Sequence, residues 1–132
     1  MIRCVRLWTG EDGNSHFAEG IIDLKPGSRG DFLSGNFPIT SVSIAETATD
    51  PKLGWHTDSA RQVVITLSGT LEFSTHTGVF RIGVGDVLIT EELGGTGHDW
   101  RFLDSQPWVR LYAALDAETV VPFQSTRLGA NT

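Results

Sequence analysis

Apolar residues in this chain recur at every second position over short runs. Val42 and Ile44 alternate with Ser41 and Ser43, and Leu71 and Phe73 stand between Thr70, Glu72 and Ser74. Val109, Leu111, Ala113 and Leu115 form one stripe, with Arg110, Tyr112, Ala114 and Asp116 on the other face. A two-residue period describes strands with two distinguishable faces. No stretch shows the spacing of an amphipathic helix. Turn signals divide the runs. Ser68-Gly69 separates Gln62–Leu67 from Thr70–Thr75, a predicted hairpin whose tight turn needs positive φ. His76-Thr77-Gly78 leads to Val79–Ile82, Gly83-Val84-Gly85-Asp86 to Val87–Thr90, and the glycine-rich Leu93–Gly97 to His98–Leu103. The pattern predicts about nine or ten strands and no helix, as in a sandwich or jelly-roll barrel.

With 132 residues the chain has room for one domain. Residues 1–38 read as an N-terminal arm that packs on the barrel or swaps with it. Its irregular part, residues 10–38, is rich in Gly and Pro and contains one predicted strand, Gly20–Lys25. Residues 39–124 form the predicted barrel, and residues 125–132 a frayed tail. The net charge is −6 and there is no run of Lys or Arg, which argues against nucleic-acid and membrane partners. The single cysteine, Cys4, excludes an internal disulfide and a cysteine-based zinc framework, and nothing near it marks an activated thiolate. Met1–Arg6 alternates charged and apolar residues rather than forming a signal peptide, so a cytoplasmic location is expected.

The most informative stretch is Gly54-Trp55-His56-Thr57-Asp58-Ser59-Ala60-Arg61-Gln62 through Gly69, followed by Gly85-Asp86-Val87-Leu88-Ile89 and then His98. It resembles the two motifs of the cupin superfamily, His-x-His…Glu…Gly and a Gly-Asp turn, strand and loop ending in His. His56, position 58, Gln62 and Gly69 fall on the first motif; Gly85-Asp86 and His98 fit the second with a slightly longer loop. Within the superfamily the chain looks most like small single-domain bacterial cupins of uncharacterised function. The second His of the pattern is replaced by Asp58 and the Glu by Gln62, and the Pro and Asn of the second motif are absent. The resemblance implies an all-β, single-domain cupin, a double-stranded β-helix or jelly-roll barrel. It also implies homodimers, formed by edge pairing or by exchange of the N-terminal segment.

Residues 56 and 58, two apart on a strand, share a face, and Gln62 opens the next strand. His98 shares a side with Trp100 and Phe102. Two imidazoles with oxygen donors suit a divalent metal such as Fe, Mn, Ni or Zn. Two ligand sets are open. His56, Gln62 and His98 are neutral and would bind weakly, whereas His56, Asp58 and His98 make a 2-His-1-carboxylate triad. Thr57-Asp58-Ser59 reads equally well as a solvated turn. A two-oxoglutarate oxygenase would need Arg110 for its cosubstrate, but so short a barrel leaves little room for cosubstrate and substrate together. Trp55, Trp100 and Phe102 are candidate pocket walls, favouring an apolar or aromatic small molecule. Arg61 should point outward, and His16 and His76 have no assigned role.

Three functions follow as expectations. The first is a metal-dependent dioxygenase, isomerase or lyase acting on a small organic substrate, with His56 and His98 at its centre. The second is a metal-free enzyme using His98 or His56 as acid-base, oriented by Asp58 or Glu91. The third is a ligand-binding or sensing module without catalysis.

Overall fold

The computed structural model describes residues 1–126. These form an all-β fold: β1 (Arg3–Thr9), β2 (Ser15–Ile22), β3 (Lys25–Pro26), β4 (Phe32–Leu33), β5 (Ser41–Thr47), β6 (Gln62–Ser68), β7 (Leu71–Thr75), β8 (Gly78–Ile82), β9 (Val87–Glu91), β10 (Asp99–Phe102), β11 (Trp108–Ala114) and β12 (Phe123–Ser125). Seven strands make one mixed sheet in the order β12-β2-β1-β9-β6-β11-β5, with β1 and β9 as its parallel pair. A three-stranded antiparallel sheet, β10-β7-β8, faces it, and β3-β4 is a short separate ribbon. No helix of the described residues is long and apolar enough to cross a membrane.

The large sheet buries both faces. On the inner face Val5, Leu7, Val64, Leu88 and Trp108 meet Leu71, Phe73, Phe80, Ile82 and Trp100 of the small sheet in one buried cluster. On the outer face Cys4, Val63, Val87, Ile89 and Ala113 join Ile22, Leu115 and Val121 in a second, against which Leu24, Phe37 and Phe123 pack. Neighbours such as Cys4-Val5, Val63-Val64 and Val87-Leu88 therefore feed opposite cores, which is why these strands read as continuous apolar runs. Burial pushes the Cys4 thiol up to about 12 against the opposing pull of Arg3, so it stays protonated and unreactive.

The N-terminal segment differs from the expected arm. β1 lies inside the sheet, paired on one side with β2 and on the other with β9, and Cys4, Val5 and Leu7 are fully buried. It offers no free edge for exchange; among the described residues the outermost strands of the sheet are β12 and β5. The strand expected at Gly20–Lys25 runs instead from Ser15 to Ile22, because Phe17 of its polar-looking first half packs on the inner core. At the other end, Phe123–Ser125 pairs with β2; the rest of the predicted tail, residues 127–132, lies outside the described residues. Ser68-Gly69 makes the predicted turn, with Gly69 at φ 95°, but not the predicted hairpin. β6 pairs with β9 and β11 in the large sheet, whereas β7 pairs with β8 and β10 in the small one, so the turn carries the chain from one sheet to the other.

Candidate metal centre

Where the two sheets face each other they enclose a cavity of about 230 Å³. Its polar wall comprises His56, Asp58, Gln62, Thr90, His98 and Arg110; Val64, Phe73, Leu88, Trp100 and Trp108 supply apolar surface. The polar wall is built by alternation. From residue 54 to 58 the even positions turn inward while Trp55, Thr57 and Ser59 are exposed. On β9 the inward series is Leu88 and Thr90, and Glu92, just past the strand end, continues it with no exposure at all.

His56 and His98 form an isolated antiparallel bridge, each backbone N–H donating to the other's carbonyl at 2.9 Å. Their rings stand 4.6 Å apart, centre to centre. Gly97 makes this approach possible. Its φ is 79°, and a Cβ there would lie 2.5 Å from the His56 carbonyl oxygen. On the other side of the loop, Trp55 stacks on His76 of the β7–β8 turn at 4.5 Å, fixing the segment that carries His56.

Glu92 organises the acid end of the cavity. Its Oε1 lies 2.8 Å from His98 Nδ1, and its Oε2 accepts a hydrogen bond from the buried hydroxyl of Ser15 on β2. Its backbone carbonyl accepts the Asp58 N–H at 2.9 Å. One residue thus orients a histidine with its side chain and an aspartate with its backbone. His56 Nδ1 lies 2.9 Å from the Gly54 carbonyl, an acceptor. With each Nδ1 donating outward, both rings are held as the tautomer whose Nε2 lone pair is free.

Asp58 lacks such satisfaction. Its Oδ2 is buried with no hydrogen-bond partner, as is the hydroxyl of nearby Thr90. Burial pushes the Asp58 carboxyl up to about 6; Glu92 adds to the rise, while the charges of His98 and His56 and the nearby Thr90 hydroxyl, which falls short of a full hydrogen bond, pull the other way. An orphaned buried carboxylate oxygen is rare enough to need a reason, and an unseen ion is one of the few available. Ligand atoms of Asp58, Glu92 and His98 all lie within 4.8 Å of one another, a spacing able to hold a metal ion; His56, expected from the sequence as a ligand, stands outside that group.

Every polar residue proposed from the sequence, His56, Asp58, Gln62 and His98, lies on this one cavity, as does Trp100. Two expected pocket walls do not line it. Trp55 is 47% exposed on the outside of its loop, and Phe102 packs edge-on against Trp100. Asp58 is held inward rather than in a solvated turn. Glu91, considered as the orienting acid, points to the outer face and pairs with Arg6 and Arg61; Glu92 takes that role. The two-residue period running from Leu88 through Thr90 was the signal that could have found it. Arg110, whose direction the sequence left open, lines the cavity and is 9% exposed.

A second, wider groove of about 450 Å³ runs along the outer face beside Arg6, Arg61 and Glu91. Its charged groups satisfy one another. The sequence matches no protein-family profile and none of the curated proteins with which it was compared.

Proposed function

We propose that the chain is a small-molecule-binding protein of the cupin type, with a divalent metal ion held by His56, Asp58 and His98, that acts on a small organic substrate in its cavity. The observation that carries this reading is the pairing of two imidazoles, both with Nδ1 engaged and Nε2 free, with a buried carboxylate oxygen that has no partner. Glu92 already spends both oxygens on His98 and Ser15, so it serves better as the carboxylate behind a ligating histidine than as a ligand. A nitrogen-rich set with one carboxylate suits Fe, Mn, Ni or Zn. Such an ion would supply Lewis acidity or, for iron, oxygen activation. Around it Gln62 and Thr90 offer hydrogen bonds to a substrate, while Val64, Leu88 and Phe73 exclude water.

Titration of the metal-free protein with zinc or manganese, followed by calorimetry, tests this. One ion per chain is expected, with His98→Ala, Asp58→Asn and His56→Ala each weakening binding by about a hundredfold or more. Wild-type affinity in His56→Ala would move the ligand set to Asp58, Glu92 and His98. The absence of saturable binding by either metal would end the proposal.

The Glu92–His98 pair also favours a second reading, metal-free acid-base catalysis by His98 with Glu92 holding its tautomer. Turnover that survives chelation and falls in Glu92→Gln would select it.

A further inference from the structure

Arg110 is a buried cation without a counter-ion among the described residues. It sits on β11 where β6 carries an irregularity in register, between Val109 and Arg110. Its guanidinium lies over the ring of Trp108 at 4.1 Å and that of Tyr112 at 5.4 Å. Nε donates to the Tyr112 hydroxyl at 3.0 Å, and Nη1 donates to Thr47 Oγ1 at 2.8 Å and to the Trp108 carbonyl at 3.0 Å. These bonds use three of its five N–H groups and involve only neutral acceptors. Among the described residues the Nη2 amino group has no partner and no carboxylate pairs with the side chain. Desolvating a guanidinium this far is costly unless an anion joins it. Among the described residues Arg110 is the one Lys or Arg on the cavity wall.

The cavity is therefore polarised. One end, at the level of Gln62 and Thr90, carries Asp58 and the two histidines; the other, where Arg110 stands opposite Thr66, carries a single cation; Val64 and Leu88 lie between. We infer that its ligand is a small carboxylic acid whose carboxylate is held by Arg110 and whose other end reaches the Asp58–His98 cluster. A single planar guanidinium balances one negative charge and matches the planar geometry of a carboxylate. The volume, about that of eight waters at ~30 Å³ each, admits roughly ten non-hydrogen atoms, and Phe73, Trp100 and Trp108 suit an apolar or aromatic body. The inference names the substrate class for the site proposed above, but anion capture by Arg110 does not require the metal.

Benzoate, benzamide and inorganic phosphate are the probes, read by NMR titration and thermal shift on EDTA-treated and on zinc-loaded protein. Benzoate is expected to bind in both states and benzamide at least about tenfold more weakly. Arg110→Gln should weaken benzoate by about ten- to a hundredfold, with Arg110→Lys falling between. Because Arg110 is buried, Thr47→Val and Tyr112→Phe provide milder variants. Each frees one N–H of the guanidinium and should weaken benzoate severalfold without loss of fold. Equal affinity for benzoate and benzamide, a preference for phosphate, or benzoate binding unchanged in folded Arg110→Gln would overturn the inference. Benzoate binding in a protein that takes up no metal would leave it standing and remove the metal reading alone; metal uptake without benzoate binding would do the reverse.

Discussion

Two adjacent glutamates separate the two faces of the large sheet. Glu91 turns to the outer groove, where Arg6 Nε lies 2.6 Å from one oxygen and Arg61 Nη2 2.6 Å from the other. Burial works to raise its pKa, but the hydrogen bonds and charges of the two arginines outweigh it, and the carboxyl sits below its ordinary range. Glu92, one residue on, is enclosed with a histidine and a serine, beside Asp58, which no arginine or lysine of the described residues pairs. The cavity's own cation, Arg110, pairs with no carboxylate among the described residues. Outside, opposite charges have found each other and the groups serve stability. Inside, charges of both signs are buried and left unpaired, a costly arrangement that persists where something else is meant to bind.

The two faces should also differ in sign with pH. A depressed acid such as Glu91 contributes stability above its unfolded pKa and loses it on acidification. Asp58 is the reverse: its folded pKa of about 6 lies above the unfolded value of 3.8, so the metal-free fold is penalised as pH rises through that window and relieved below it.

The largest effect is expected from Gly97→Ala, which drives a Cβ into the His56 carbonyl in a positive-φ conformation. A loss of about 3–4 kcal/mol in urea denaturation should accompany loss of metal binding, because it breaks the His56–His98 bridge. Next, Asp58→Asn should stabilise the chelated protein by up to about 3 kcal/mol at pH 8. Denaturation at several pH values should show this gain shrinking toward zero near pH 4; a gain independent of pH would contradict the buried, strained carboxylate. Glu92→Gln should weaken metal binding by about ten- to a hundredfold in calorimetry by loosening His98. Smallest and on the opposite face, Arg61→Ala removes the second partner of Glu91 and two carbonyl contacts, to Asp116 and Thr119. It should cost about 2 kcal/mol and leave metal affinity unchanged. A loss of affinity there would show that the two faces are coupled.

Much of this was legible in the chain. Period-two runs located the strands from residue 62 onward because each has at least one face with a clear partner. The spacing of His56, Asp58, Gln62 and His98 brought together residues that do share one cavity. The N-terminal strands were harder to read. β1 is buried on both faces, and its Arg3 and Arg6 look exposed in sequence yet pair with Glu19, Asp86 and Glu91. Glu92 escaped notice because it lies one position beyond its strand, beside a glutamate of opposite direction. Trp55, a candidate pocket wall, is turned outside by the same alternation that turns His56 inward.

The most direct measurement is anomalous diffraction at the zinc edge from crystals grown with zinc. The expected result is one strong peak in the cavity, bonded by Nε2 of His56, Nε2 of His98 and Oδ2 of Asp58, with Glu92 still on His98 Nδ1. An empty cavity, or zinc bound only at surface carboxylates, would contradict a metal centre between the sheets.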